Sequence, residues 1–245
     1  VALGLIIPVA AGAFDLTIGG VVSVSVCFTA WALVNHHGVV VAVVGSILLG
    51  IAVGLLNSLV VVKFKVDSFI GTLGMSSILI AVAAMISSQS QIVLSTEGYA
   101  PFLDFARGEF LGLPYTVYYA AVIALFMWWI LEYTPGGRYL YAVGGNPVAA
   151  RLSGVRIGRV TMIAFVTSGA VAAFAGIALT ATIGTATSIV GEGYLLPAFS
   201  AVFLGATQIR PGRVNVLGTL VAIFLLATGV SGLQLAGAPS YVTDL

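Results

Sequence analysis

"VVVAVVGSILLGIAVGLLNSLVVV", residues 39–62, decides the fold class of this chain, because the whole stretch contains no charged side chain. A helix of about 20 apolar residues crosses the hydrocarbon core of a bilayer, since each residue rises about 1.5 Å through a core about 30 Å thick. The stretch is therefore predicted to be a membrane-spanning helix.

The rest of the chain repeats this pattern. A shorter apolar run, 196–208, is expected to be tilted, broken or re-entrant. Residues 1–14 are expected to end a further helix that breaks near Gly12 and restarts at Asp15, a good N-cap residue. The other predicted spans are 16–34, 68–86, 115–131, 160–182 and 217–235. We therefore predict an all-α fold, a polytopic membrane bundle of at least six to eight transmembrane helices that forms one transmembrane domain over 1–245.

The composition agrees with a membrane protein and excludes other classes. Sixty per cent of the residues are hydrophobic and 7% are charged, with a mean hydropathy of +1.16. The net charge is +1, whereas a nucleic-acid-binding face needs clustered Lys and Arg. The lone Cys27 carries no information on redox compartment. We therefore expect the lipid bilayer, and no nucleic acid, among the partners.

The basic residues predict the orientation, because Lys and Arg accumulate in cytoplasmic loops. The loop 132–159 holds four arginines against one acid and is placed inside. Lys63 and Lys65 then also fall inside, and so do Arg210 and Arg213 if the short run 196–208 crosses the membrane. The loop containing Glu97, Asp104, Arg107 and Glu109 falls outside, as does the short turn Asn35–His37.

Small residues spaced four apart predict close helix packing, since helices in lipid associate through backbone approach. The clearest pair is Gly50 and Gly54, with looser versions at Gly169/Ala173 and Ala172/Gly176. We expect packing within the chain in preference to a dimer seam.

One polar segment, "NPVAARLSG" (146–154), has the signals of a very short helix. Asn146 is an N-cap residue, Pro147 suits the first helical position, and Gly154 suits the left-handed end. Val148 and Leu152 share one face, and glycines at 136, 137, 144, 145 and 158 are expected to turn the chain on both sides. The helix either lies on lipid headgroups or docks a cytoplasmic protein.

A resemblance favours docking. The stretch "TPGGRYLYAVGGNPVAARLSGVRIGRV" (134–160) resembles the cytoplasmic loop of the ribose-type family of ABC transporter permeases, the membrane subunits of bacterial sugar importers. Three further stretches are similar to that family in order and spacing: "FDLTIGG" (14–20), "FKVDSFIGTLGM" (64–75) and "GEGYLLPAFSAVFLGAT" (191–207), which is followed by "GRVNVLGTL" (212–220). The family continues with another helix after "APSYVTDL" (238–245), and the chain starts without a methionine, so both ends are expected to be truncated.

The resemblance implies a multi-pass permease of the bacterial plasma membrane and its partners. These are a second permease chain, a cytoplasmic ABC ATPase and an extracellular sugar-binding protein. It also implies that the short helix is a coupling helix that docks the ATPase. The implied coupling residues are Arg138, Asn146, Pro147, Val148, Ala149, Arg151, Leu152, Gly154 and Arg156.

Other chemistry is not expected in this chain. It has no phosphate-binding G-x-x-x-x-G-K-[ST] motif, so ATP and Mg²⁺ are expected on the partner and no cofactor here. No catalytic residues and no metal site are expected, since adjacent His36 and His37 point to different faces of a helix. Asp15, Asn57, Thr72 and Gln208 are candidates for the translocation path, although capping and helix–helix hydrogen bonds are the plainer roles.

Two alternatives to a sugar importer remain open. A branched-chain amino-acid ABC permease belongs to the same superfamily. An ion-coupled secondary transporter usually has a carboxylate near the bilayer midplane. We expect no clear midplane carboxylate in this chain.

Overall fold

The computed structural model describes residues 1–237, apart from the side chains of Thr96 and Glu97, so the stretch 238–245 lies outside the described residues. The helices are α1 (Ala2–Ala10), α2 (Thr17–Val34), α3 (Val39–Ser58, extended by a π-helical turn, Leu59–Lys63), α4 (Ser68–Ile86), α5 (Thr96–Arg107), α6 (Tyr115–Tyr133), α7 (Pro135–Gly145), α8 (Pro147–Leu152), α9 (Ile157–Ile183), α10 (Leu195–Gly205, preceded by a 3₁₀ turn, Glu192–Tyr194) and α11 (Val216–Leu235). Two short antiparallel ladders join β1 (Ile92–Val93) to β4 (Thr185–Ala186) and β2 (Glu109–Phe110) to β3 (Leu113–Pro114).

Six of these helices are long and apolar enough to cross a membrane: α2, α3 with its π-helical turn, α4, α6, α9 and α11. The ends of these helices lie within three residues of the ends of the six predicted spans, and both ends of α4 are the predicted residues. The prediction of a polytopic helical membrane bundle is confirmed.

Helix α2 is the centre of the bundle. It contacts α3, α4 and α9, and 83% of its residues are buried. A helix enclosed on all sides needs small residues for close approach and partners for its hydroxyl groups. Ser25 donates to the Ala173 carbonyl of α9 at 2.7 Å, and Thr29 shares a 2.7 Å hydrogen bond with Ser46 of α3.

Helices α3 and α9 form the most extensive contact between two helices, and glycines make it possible. A Cβ atom at Gly54 would lie 2.5 Å from the Phe165 carbonyl oxygen. One at Gly50 would overlap the Gly169 carbonyl, and one at Gly169 would overlap the Gly50 carbonyl. The small-residue motifs pack within the chain, as predicted.

Two short helices, α1 and α10, lie beside each other in the bundle. Helix α1 ends at Ala10, and Gly12 then adopts a left-handed φ of +75° that reverses the chain toward α2. This confirms the predicted break near Gly12. Helix α10 is only 11 residues long and follows an irregular segment, in agreement with a run too short for a full span, whereas its tilted, broken or re-entrant course through the membrane stays a prediction.

The two ends of the bundle differ in charge. Lys65 and Arg151 share one groove, Arg156 and Arg159 share another, and Arg210 and Arg213 contact Glu132 at the end of α6. We call this the basic end. At the opposite end Arg107 donates to the Thr182 carbonyl at 3.0 Å, and the β1–β4 ladder and α5 cover the ends of the helices.

Two helices outside the spans were not predicted. Helix α5 packs Phe102, Leu103 and Ala106 into the core. Helix α7 contains four of the glycines that were expected to turn the chain, and the fifth, Gly158, lies in the first turn of α9, so that expectation is wrong for all five (Gly136, Gly137, Gly144, Gly145 and Gly158). Thr134 caps α7 and Pro135 occupies its first position, and these signals outweigh the glycines.

Candidate functional site

The short helix α8 has the geometry that its sequence predicts. The Asn146 side-chain oxygen accepts hydrogen bonds from the backbone N–H groups of Val148 at 3.1 Å and Ala149 at 3.0 Å. Pro147 is the first helical residue, and Gly154 has a left-handed φ of +83° just beyond the helix end. Such a short helix is marginal in water on its own, so its caps and its attachment to α7 hold it in place.

The outward face of α8 is apolar. Val148 is 68% exposed and Leu152 is 85% exposed, whereas Ala150 is buried against the bundle. An exposed apolar pair at the tip of a polar loop is typical of a contact surface. Arg138, Arg151 and Arg156 are exposed around it.

Two grooves flank α8, and both are basic. Lys65 and Arg151 line one, together with Gly158 and Thr161. Arg156 and Arg159 line the other, beside Tyr139. An apolar face between two cationic grooves suits a partner that offers an apolar pocket with acidic groups at its rim.

A polar cluster, which we call the Glu132 latch, ties α6 and α7 to the loop between α10 and α11. The Glu132 carboxylate pairs with Arg210, and its other oxygen lies 3.9 Å from Arg213. The Arg213 guanidinium sits 3.6 Å over the ring centre of Tyr141, whose hydroxyl donates to the Val214 carbonyl at 2.8 Å. Burial raises the pKa of the Tyr141 phenol, so this hydroxyl remains a donor at neutral pH.

We expect Tyr141→Phe to lower the free energy of unfolding by about 1 kcal/mol, because it removes one hydrogen bond and keeps the ring under Arg213. Tyr141→Ala also removes the cation–π contact and is expected to cost more. Thermal denaturation of the detergent-purified protein measures both. Tyr139→Phe, on the exposed side of the same helix, is the matched control and is expected to change nothing. Equal stability of Tyr141→Phe and Tyr139→Phe would contradict the assignment.

Helix α7 also touches α1. A Cβ atom at Gly144 would overlap the Ala10 carbonyl, and Gly12 lies against the same glycine. Helix α7 ends at Gly145 and α8 begins at Pro147, so only Asn146 separates them. Helix α7 therefore connects the exposed helix to α1 directly, and to the loop between α10 and α11 through Tyr141 of the Glu132 latch.

Three of the four polar candidates for a path meet in one buried network. The Asp15 carboxylate accepts hydrogen bonds from the Thr17 N–H at 3.1 Å and from the Thr17 hydroxyl. Asn57 of α3 donates to the Thr17 hydroxyl at 2.8 Å, and Thr72 of α4 accepts from the Leu16 N–H at 3.0 Å. The network joins the start of α2 to α3 and α4, and its four polar residues, Asp15, Thr17, Asn57 and Thr72, are at most 2% exposed.

Gln208 does not join this network. It lies in the turn after α10 at the basic end, where its side chain contacts Thr207. A role of Asp15, Asn57, Thr72 or Gln208 in translocation stays a prediction.

The structure also places a carboxylate that sequence reasoning missed. Glu192 follows Gly191, whose N–H donates at 3.0 Å to the hydroxyl of Ser23, two turns into α2. The Glu192 side chain is exposed at this depth. The expectation of no clear midplane carboxylate stays a prediction, and Glu192 is the residue that bears on it, because the chain enters the bundle here without a helical pattern.

Within the described residues no group of three or more His, Cys, Asp or Glu side chains is placed to hold a metal ion. His36 and His37 lie in the turn between α2 and α3, where the His37 ring packs 5.1 Å from the Trp31 ring.

Comparisons with known proteins point to one family. The model of the branched-chain amino acid transport system / permease component family matches residues 1–245. The chain is 33% identical to the ribose import permease protein RbsC of Escherichia coli (strain K12), over 98% of this chain and 75% of that protein. It is 32% identical to the ribose import permease protein RbsC of Bacillus subtilis (strain 168), over 98% and 74%. It is 28% identical to the L-arabinose ABC transporter permease protein AraH of Azospirillum brasilense, over 98% and 70%. No solved structure matches the chain significantly.

Proposed function

This chain belongs to the family of branched-chain amino acid transport system permease components, in its ribose-type branch, and from that membership we propose that it is the membrane-spanning subunit of a bacterial importer driven by a separate ATPase. The importer carries a monosaccharide through the plasma membrane, with the basic end of the bundle toward the cytoplasm. The chain pairs with a second permease chain, and an extracellular binding protein delivers the sugar.

The observation that carries this proposal is the exposed apolar face of α8. Val148 and Leu152 stand out from the basic end, on a helix that is capped at both ends and has cationic grooves on both sides. We assign this face to a pocket on the cytoplasmic ATPase, with acidic groups of the ATPase entering the two grooves. ATP and Mg²⁺ bind to that partner.

The contacts of α7 support a route from the ATPase into the membrane. Closure of two nucleotide-binding domains is a rigid-body motion, and a helix seated in a pocket follows it. Helix α7 then moves α1 through Gly144 and the α10–α11 loop through the Glu132 latch. Helices α1 and α10 are short and each is joined at one end to irregular backbone. They therefore shift more readily than a full membrane span.

The substrate class is a sugar in preference to a branched-chain amino acid. The family description names amino acids, but the relatives reported above carry the names of ribose and arabinose systems. Uptake of D-ribose and L-arabinose, measured with and without excess L-leucine, distinguishes the two substrate classes, and we expect sugar uptake that leucine does not reduce. Competition by leucine would favour the amino-acid reading.

The experiment that tests docking is co-purification with the cognate ATPase. The double substitution Val148→Glu, Leu152→Glu places two charges on the apolar face and alters no membrane-spanning helix. We expect at least ten-fold less ATPase to co-purify with it than with wild type, because two carboxylates would have to be buried in the pocket.

The matched control is Leu111→Glu, which is 84% exposed but lies in the β2–β3 turn at the opposite end. It is expected to keep the ATPase. All variants must elute as one folded species in size-exclusion chromatography. Equal retention by the double variant would refute docking through α8, and no retention by wild type would reopen the ion-driven alternative through a gradient-dependent uptake assay.

A further inference from the structure

The segment between α9 and α10 descends from one end of the bundle to its middle. It starts at Gly184, whose carbonyl accepts from the Leu94 N–H at 2.9 Å at the non-basic end, and reaches Ser23 of α2 through the Gly191 N–H. Ser23 lies about 10 Å along α2 from its start and about 16 Å from its end, at 1.5 Å per residue. Since α2 itself starts one turn inside α4, at the level of Thr72, Gly191 lies near the bilayer midplane.

Glu192 is the next residue, and its surroundings decide what faces it. Its side chain is exposed, as is Gly193, and Tyr194 is 40% exposed. No salt bridge to Glu192 forms within residues 1–237. A charged side chain at the centre of a bilayer does not face lipid, and neither does backbone outside a helix, because nothing in hydrocarbon satisfies their polar groups.

Polar groups at that depth are either buried against protein or line a water-filled cavity. The adjacent groove is mainly apolar: Val1, Pro197, Ile223, Leu226 and Val230 line it, and Tyr194 and Ser231 are the lining residues with polar side chains. In transporters the transport path runs beside broken backbone of this kind near the bilayer midplane.

We propose that Glu192 is a substrate-binding residue of this path, whose carboxylate accepts hydrogen bonds from hydroxyl groups of a neutral, polyhydroxylated substrate. A carboxylate offers two acceptor oxygens, which suit a pair of adjacent hydroxyl groups, and such charge-assisted bonds are short and strong. The second permease chain closes the open side of the cavity. The ligand class rests on the proposed function. The contact of Glu192 with water rests only on its position along α2 and on the exposure of its side chain.

The first test is accessibility. Cys27 is the one cysteine of the chain and is fully buried, so Cys27→Ala provides a thiol-free background. We expect Glu192→Cys in that background to react with a charged, membrane-impermeant thiol reagent at least ten-fold faster than Leu125→Cys. Leu125 is 62% exposed and lies ten residues into the 19-residue α6, at comparable depth. Equal rates would overturn the proposal.

The second test is uptake of D-ribose and L-arabinose by the assembled importer. We expect Glu192→Gln to reduce uptake at least ten-fold while the ATPase still co-purifies. Glu109→Gln, an exposed glutamate in the β2–β3 ladder, is the matched control and is expected to transport like wild type. Wild-type uptake by Glu192→Gln would overturn this inference and leave the proposed function intact. If the wild-type importer takes up neither sugar, the proposed substrate class fails, and the hydroxyl ligand proposed here fails with it.

Discussion

Gly50→Ala and Gly169→Ala are each expected to destabilise the protein by about 1–3 kcal/mol or more, since overpacking a close interface costs this much. Each new methyl group would overlap a backbone carbonyl of the facing helix, which no side-chain rotation relieves. Helices α3 and α9 would have to move apart along their whole contact. Thermal unfolding in detergent and the yield of monodisperse protein measure the effect.

The chain supplies its own controls for this prediction. Gly74 in α4 and Gly229 in α11 are also helical, but a Cβ atom at either would meet nothing within 4 Å. Alanine there is expected to be neutral or slightly stabilising, because glycine is the poorer helix former. If all four variants had the same stability, close approach of α3 and α9 would not be what holds the bundle.

The double variant adds a sharper test. The two glycines oppose each other, so separation of the helices by the first substitution relieves the strain of the second. We therefore expect the double variant to be more stable than the sum of the two single effects predicts. Simple additivity would indicate that the two glycines do not share one contact.

The sequence predicts the spans well and the short elements less well. The limits of α4 follow from Asp67, which caps it, and from the end of the apolar run at Ile86. Helix α7 is not predicted from the sequence, because its four glycines favour turns more strongly than the Thr134 cap and Pro135 favour a helix. A glycine in a helix is costly unless something needs its small size. For Gly144 the close neighbour is Ala10, far away in the sequence, and for Gly137 it is the Leu131 carbonyl.

Part of the candidate site is likewise predictable from local sequence and part is not. The coupling helix α8 depends on local signals, Asn146, Pro147 and Gly154, and these are visible within nine residues. Glu192 depends on a hydrogen bond between Gly191 and Ser23, which lie 168 residues apart, so no local pattern reveals its depth. The partners of the Glu132 latch are separated by 78 residues and were missed for the same reason.

Asp15→Ala is expected to be the most damaging single change among the polar residues. It removes the acceptor for both the N–H and the hydroxyl of Thr17, and both donors are buried where water does not replace it. An unsatisfied buried donor costs about 1–3 kcal/mol. Asp15→Asn keeps one acceptor oxygen and is expected to lose less. The free energy of unfolding in detergent, measured for both variants, gives the ranking.

Asp67→Ala is the matched comparison, because Asp67, like Asp15, accepts two hydrogen bonds at a helix start, in its case both from backbone N–H groups, but it is exposed to water. Its replacement is expected to lower the free energy of unfolding by about 1 kcal/mol, the usual value for an N-cap residue. Equal losses at the two positions would mean that burial of the Asp15 network adds nothing. Uptake by Asp15→Asn then separates structure from transport: a stable variant with wild-type uptake excludes a transport role for this carboxylate, whereas a stable variant that fails to transport places its charge on the path.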